Sequence, residues 1–275
     1  MKDIAAKIMM FDNNIINEED FISKDYEDSD TVYEVIRIID GVPLFLEDHY
    51  ERLTGSLKAL GLKPAISLNE LASRIKKLAK ANSLTNCNAK LNVFVKAGKQ
   101  NLLIYISKSY YPGQEEISKG VKTGLIHLER NNPNVKQINH SYKEAAENKI
   151  KEIKAFEVLL VNQEGKITEG SKSNTFFIKG NKVFTSPGEY VLKGITRQYI
   201  IDACRQLNLE VVEALTDVIE LGALDGLFIS GTSIKVLPVS LIDEKSFRSA
   251  ENSVITAIRS RFDKIIDDYI QARKA

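Results

Sequence analysis

Four short segments in the second half of the chain hold residues whose types and spacing could do chemistry. Lys136 stands in "NVKQINH", a polar approach between a run that reads as a strand and one that reads as a helix. Glu169 and Gly170 lie in "GKITEGSKSNTFFI", between two strand-like runs. Gly194, Ile195 and Thr196, in "VLKGITRQYIIDAC", lead directly into a helical pattern. In "LFISGTSIKVLPV" a strand that reads as buried ends in Gly231, Thr232 and Ser233.

A glycine followed by threonine at a helix start offers unpaired backbone N–H groups, a hydroxyl and the positive end of the helix dipole. A strand ending in Gly-Thr-Ser offers more donors of the same kind. Together the two could cradle one dianionic phosphate. Each is also an ordinary feature by itself: the first reads as a helix cap, the second as a turn. A lysine in a polar loop is ordinarily a solvated surface group, because burying an ammonium is costly. Taken together with a lysine and a carboxylate, however, they match what one small molecule asks for. Pyridoxal phosphate needs a Schiff-base lysine, an acidic partner that keeps its pyridine nitrogen protonated, and a phosphate cup. The spacing is consistent with that molecule without singling it out.

These residues need elements to position them, and strand signals dominate the first third. "DTVYEVIRII", Asp30 to Ile39, is rich in β-branched and aromatic residues, and "DGVPLF" after it supplies a glycine-containing turn. "LEDHYERLTGSLKALG" places Leu53, Leu57 and Leu60 at helical spacing, with Gly61 as the stop. "SLNELASRIKKLAKA" opens with Ser67 and Glu70 in capping-box spacing, then lines up Leu71, Ile75 and Leu78. Two strands follow, "KLNVFVKAG" and "NLLIYIS". "SYYPGQEEISKG" combines a Pro-Gly turn with a polar stretch and reads as a linker. Beyond it, strand-like runs alternate with helical patterns at Tyr142 to Lys154, Thr196 to Leu207 and Glu251 to Arg273. The expectation is an α+β chain with a small N-terminal domain over residues 1–112, a linker over 113–120 and a larger, β-rich domain over 121–275.

Composition narrows the classes of function. With Lys+Arg 38 against Asp+Glu 37, no broad basic field exists, which argues against nucleic acid as the main partner. No apolar run approaches the ~20 residues of a membrane span, and charges interrupt the N-terminus before a signal-peptide core can form. Cys87 and Cys204 read as free buried thiols, which suits a reducing cytoplasm. His49, His127 and His140 show no metal-ligand spacing, so no metal is expected.

The ordered set "VYEVIR", Gly41, "LEDHYERL", "KQIN", "ITEGSKSNTFF", "LKGITR" and "SGTSIKVLPV" resembles the fold-type IV pyridoxal-phosphate enzymes. That family comprises branched-chain aminotransferases, D-amino-acid aminotransferases and aminodeoxychorismate lyase. The resemblance covers nearly the whole chain and implies a two-domain, D-amino-acid-aminotransferase-like fold. By matching position it implies that Lys136 is the Schiff-base lysine and proton shuttle, and that Glu169 is the ring-nitrogen partner. It implies Arg52 as a phosphate-binding arginine, with Gly194, Ile195, Thr196 and Thr232 as further phosphate contacts. Tyr33 and Val35 match substrate-pocket positions, and Arg37 and Ser233 fall beside that pocket. His49, three residues before Arg52, reads as structural.

Two departures from the pattern bear on the reaction. His140 follows Asn139 where many relatives carry a tyrosine that contacts the cofactor's phenolate oxygen; an imidazole N–H can donate the same bond. Lys96, Ala97 and Gly98 stand where an arginine often precedes the glycine, and lysine lacks the bidentate fork. The resemblance implies an aminotransferase acting on an amino acid and a 2-oxo acid, as a homodimer; the cysteines add the expectation of a cytoplasmic location. The alternative is an aminodeoxychorismate lyase that releases pyruvate and 4-aminobenzoate.

Overall fold

The run from Asp30 to Ile39 forms a ten-residue strand, β3, whose residues alternate between a buried and a half-buried face, the period that a pleated strand imposes. The structure is a computed structural model that describes residues 3–26, 29–130 and 132–274. The chain divides into two compact units. The first comprises Met1–Tyr110, Val135–Ile138 and Ile266–Ala275; the second comprises Tyr111–Asn134 and Asn139–Ile265.

The first unit is built on a six-stranded sheet. Its strands are β1 (Ile8–Phe11), β2 (Asn14–Asn17), β3, β4 (Val42–Pro43), β5 (Cys87–Lys96) and β6 (Lys99–Ser107). They run in the order β2-β1-β6-β5-β3-β4 with antiparallel neighbours. Asp40 and Gly41 turn β3 into β4 with φ of 50° and 78°, the paired left-handed conformation that a two-residue hairpin of matching twist requires. Helices α1 (Leu46–Ala59) and α2 (Leu68–Ala81) present Leu53, Leu57, Leu71, Ile75 and Leu78 to Ile36, Ile38, Leu91 and Ile104 of the sheet. Helix α2 starts with a reciprocal capping box between Ser67 and Glu70, as its spacing predicts.

Helix α1 starts differently. Its N-cap is Phe45, at φ 50° and without a side-chain cap. The hydroxyl of Tyr269, near the end of the C-terminal helix α6 (Ser253–Lys274), accepts from the Leu46 N–H at 3.1 Å and donates to Glu47 at 2.7 Å. The Tyr269 ring also meets Phe45 edge-on at 4.8 Å. A residue 223 positions away thus replaces the missing cap.

The second unit carries a ten-stranded mixed sheet. Its strands are β7 (Val121–His127), β8 (Glu157–Val161), β9 (Lys166–Gly170), β10 (Asn174–Lys179), β11 (Lys182–Thr185), β12 (Glu210–Glu213), β13 (Thr216–Asp217), β14 (Gly226–Gly231), β15 (Lys235–Ile242) and β16 (Lys245–Ser246). The order is β12-β11-β10-β14-β15-β7-β8-β9-β13, with β16 beside β15. Strands β7 and β8 are parallel neighbours, so a crossover must join them. That crossover contains α4 (His140–Ile153) and the segment Val135–Ile138, which is counted with the first unit. Helix α5 (Ile195–Gln206) similarly joins the parallel strands β11 and β12. Leu159, Val161, Phe177, Leu227, Ile229, Leu237 and Val239 form the core of this unit.

Several elements differ from the sequence reading. Residues 113–120, expected as a linker, hold a short helix, α3 (Gln114–Lys119), in which Glu116 accepts from the Gly113 N–H. The last ten residues of the chain, nearly all in α6, are grouped with the first unit, apart from the contiguous C-terminal domain expected from sequence. Glu169 and Gly170 end strand β9 itself, where a connection between strands was expected. Among the described residues no helix is long and apolar enough to cross a membrane.

Candidate active site

Lys136 is held by its main chain. Its carbonyl accepts from the Tyr33 N–H at 2.9 Å, and its own N–H donates to Ser56 Oγ at 3.3 Å. Two residues on, the Ile138 N–H donates to the Thr31 carbonyl at 3.0 Å, and Gln137 bridges to Val32. The segment therefore lies against the N-terminal half of β3 like an added edge strand. Its amine sits 4.7 Å from the centroid of the Tyr33 ring. Strand alternation puts Val35 and Arg37 on the same face of β3 as Tyr33, all three half-buried.

The opposite face of β3 carries a residue absent from the sequence reading. Glu34, 1% exposed, accepts from Arg52 Nε and Nη2, both at 2.7 Å, and from His49 Nδ1 at 2.7 Å. His49 and Arg52 are three residues apart on α1 and so share one helix face. Burial opposes ionisation of Glu34, but the Arg52 guanidinium outweighs it, with His49 adding to the effect, and the carboxyl is held down at about 2. Burial first, then the charges of Arg52 and Lys136, push the His49 imidazole below its ordinary value against the pull of Glu34. With Glu34 ionised, His49 is a neutral Nδ1–H tautomer, and its Nε2 is left as an acceptor. The forked pairing also fixes the plane of the Arg52 guanidinium.

In the second unit two of the sequence-predicted residues, Glu169 and Gly194, meet at Asn174. The buried carboxylate of Glu169 accepts from the Leu192 N–H at 3.1 Å and from Asn174 Nδ2 at 3.4 Å; its other oxygen lies 3.6 Å from Arg130 Nη1. Asn174 Nδ2 also donates to the Leu192 carbonyl at 3.0 Å. A Cβ on Gly194 would come within 2.2 Å of Asn174 Oδ1, so any side chain at the start of α5 must displace Asn174. Gly194 supplies no side-chain cap, and Ile195 and Thr196 in the first turn are buried. Across the sheet Asn174 pairs with Ser230, the residue before Gly231 and Thr232. Ser230 is 1% exposed, and its hydroxyl finds no hydrogen-bond partner among the described residues. Uncapped helix N–H groups, a buried carboxylate and an orphaned buried hydroxyl, each one step from Asn174, are the kinds of group an anionic molecule with a basic ring would use.

Residues 31–242 match the family model described as Amino-transferase class IV. The chain belongs to this family. Among curated relatives of this class IV aminotransferase family member, the D-alanine aminotransferase of Bacillus licheniformis is 29% identical over 249 residues, covering 86% of this chain and 87% of the relative. The aminodeoxychorismate lyase of Bacillus subtilis is 24% identical over 259 residues, covering 88% and 87%. Among solved structures, the branched-chain amino acid aminotransferase of Escherichia coli superposes with a TM-score of 0.85 at 23% identity, over 95% of each chain. A second branched-chain amino acid aminotransferase, from T.th. and solved with pyridoxamine 5'-phosphate, also gives 0.85, at 22% identity over 97% and 96%. The expected fold class, a two-domain fold-type IV architecture of helices and sheets, is the one observed.

The remaining sequence-predicted positions of this class IV chain are placed as follows. Thr232 and Ser233 lie, half-exposed, in the turn between β14 and β15. His140 is the first residue of α4 and is exposed, while Asn139 caps that helix by accepting from the Tyr142 N–H. Tyr142, two residues on, donates to the Ser171 carbonyl at 3.2 Å and carries the Arg130 guanidinium 5.9 Å from its ring centroid. Sequence reasoning missed Glu34, Arg130, Tyr142, Glu157 and Asn174. A usable signal existed for Glu34 alone: a carboxylate at an inward position of an alternating strand, with His and Arg at helical spacing a few residues later.

Proposed function

We propose that this chain is a pyridoxal-phosphate-dependent aminotransferase that moves an amino group between an amino acid and a 2-oxo acid. The supporting observation is the grouping, in one unit, of the buried Glu169 carboxylate with the buried, uncapped start of α5 through Asn174. The class IV family is a pyridoxal-phosphate-dependent one, and these residues fit that group. Ile195, Thr196 and Thr232 would offer backbone and hydroxyl donors to its phosphate, with Arg52 adding a guanidinium, and the His140 imidazole N–H would donate to its phenolate oxygen. Glu169 would keep a proton on its ring nitrogen. Bound there, the group supplies a sink for the electron pair released at the substrate Cα.

Lys136 would do the proton work: its Nζ, placed over the Tyr33 ring, would take the proton from the Cα of the amino acid and, in the reverse half-reaction, give one to the Cα of the incoming 2-oxo acid. Tyr33, Val35 and Arg37 on one face of β3, with Ser233, would contact the substrate. Arg37 supplies the charge that complements a carboxylate.

The competing reading is an aminodeoxychorismate lyase. Ala97 before Gly98, where an arginine is common, favours it, as does the lyase among the relatives. Both readings use the same lysine and imply a homodimer. Loading the protein with pyridoxal 5'-phosphate, reducing with borohydride and mapping the peptide should put the label on Lys136; no label there, or the same label in Lys136→Ala, refutes the site. Amino transfer to pyruvate or 2-oxoglutarate, assayed against pyruvate release from aminodeoxychorismate, then separates the two reactions.

A further inference from the structure

We propose that Glu157 is a positioning residue that sets the Glu169 carboxylate by holding the connection between β9 and β10. The inference rests on the role proposed for Glu169. Glu157 opens β8 and is 4% exposed. One carboxylate oxygen accepts from Ser171 Oγ at 2.6 Å and from the Val158 N–H at 2.9 Å. The other accepts from the Lys172 N–H at 3.1 Å and from Ser173 Oγ at 3.1 Å. The ammonium of Lys172 turns the other way, to Glu147. Three consecutive residues thus wrap one buried carboxylate.

The wrap closes tightly. The Gly170 N–H donates to the Ser173 carbonyl at 2.7 Å, and the Ser171 N–H donates to Val158 at 2.9 Å. A Cβ on Gly170 would meet Ser173 Oγ at 2.1 Å and Glu157 Cγ at 3.3 Å, so any side chain there would dislodge the Ser173 hydroxyl from Glu157. The residues flanking the connection are Glu169 and Asn174, whose side chains meet each other across it. Asn174 in turn touches Leu192 and crowds Gly194 at the start of α5. Moving the connection therefore moves the carboxylate, its amide partner and the helix start together. Tyr142 braces the same connection from α4 through the Ser171 carbonyl.

Glutamine cannot replace this glutamate. Each oxygen takes one hydroxyl, which can rotate to become an acceptor, and one main-chain N–H, which cannot. Whichever way an amide is flipped, its NH₂ faces an N–H, and a buried donor is left unsatisfied.

The test compares wild type with Glu157→Gln, with the milder Ser173→Ala, and with Val183→Ala, a core truncation in the same unit, at matched urea stability. In the ligand-free protein, Glu157→Gln should speed amide exchange of residues 170–174 by about tenfold or more, the size of one unsatisfied buried N–H. Equilibrium dialysis should show affinity for pyridoxal 5'-phosphate weakened by a similar factor. Ser173→Ala should shift both readouts in the same direction by less, and Val183→Ala should move neither selectively. Equal losses of affinity in Glu157→Gln and Val183→Ala, or unchanged exchange in the connection, overturn the proposal. If wild type itself binds no pyridoxal phosphate through Lys136, the functional reading falls, and the exchange comparison still decides what Glu157 holds.

Discussion

Replacing Glu34 by glutamine should destabilise the first unit strongly at neutral pH and only weakly in acid. The substitution keeps the shape and removes the charge from a side chain that is 1% exposed and accepts three hydrogen bonds from Arg52 and His49. A drop from 4.5 to about 2 in its folded state corresponds to about 3 kcal/mol of stability at pH 7. Deleting one partner of a buried ion pair costs about 3–5 kcal/mol in general, so the two routes agree. The contribution is complete above the ordinary glutamate value and fades as pH falls from about 4.5 towards about 2. His49 acts in the same direction at milder pH: its lowered value means the unfolded chain takes up the proton first as pH falls below 6.5.

Urea unfolding followed by circular dichroism from pH 7 to pH 3, with hydrogen exchange of the β3 amides reporting this unit, measures both effects. Wild type should lose stability across the acid range while Glu34→Gln stays flatter, so the gap between them narrows. A loss below about 1 kcal/mol at pH 7, or a gap that is the same at pH 5 and pH 3, would refute the electrostatic reasoning.

Two further substitutions probe the elements that carry the proposed site. Gly194→Ala should push Asn174 away from Glu169, because the added Cβ would sit 2.2 Å from Asn174 Oδ1; pyridoxal phosphate binding by dialysis should weaken by about tenfold, and wild-type affinity would contradict this. Tyr269→Phe should cost about 1 kcal/mol by leaving the buried Leu46 N–H without its acceptor. Urea denaturation checks it, and faster exchange at the first turn of α1 should accompany the loss.

Most of the elements were legible because their signals are local. The alternation of Asp30–Ile39 and the leucine spacing of α1 and α2 depend only on backbone periodicity, and the structure reproduces them almost to the residue. The Ser67 and Glu70 capping box is equally local. Strand β9 escaped notice because it is short and polar, and α3 because a Pro-Gly turn reads as a break whether or not a helix follows.

The sequence by itself determined the family, through an ordered set of motifs, and with it the candidate lysine, carboxylate and helix start. Only the tertiary structure decided what holds them. Lys136 is pinned to β3, far earlier in the chain, by main-chain hydrogen bonds that do not depend on the lysine side chain. Glu34 stands in sequence at an inward position of an alternating strand, and only packing against α1 makes it a buried partner for a guanidinium and an imidazole at once. Glu157 and Asn174 likewise carry no local signature. Their importance comes from burial, which turns a missing hydrogen bond into a cost, and from contacts between strands that folding alone brings side by side.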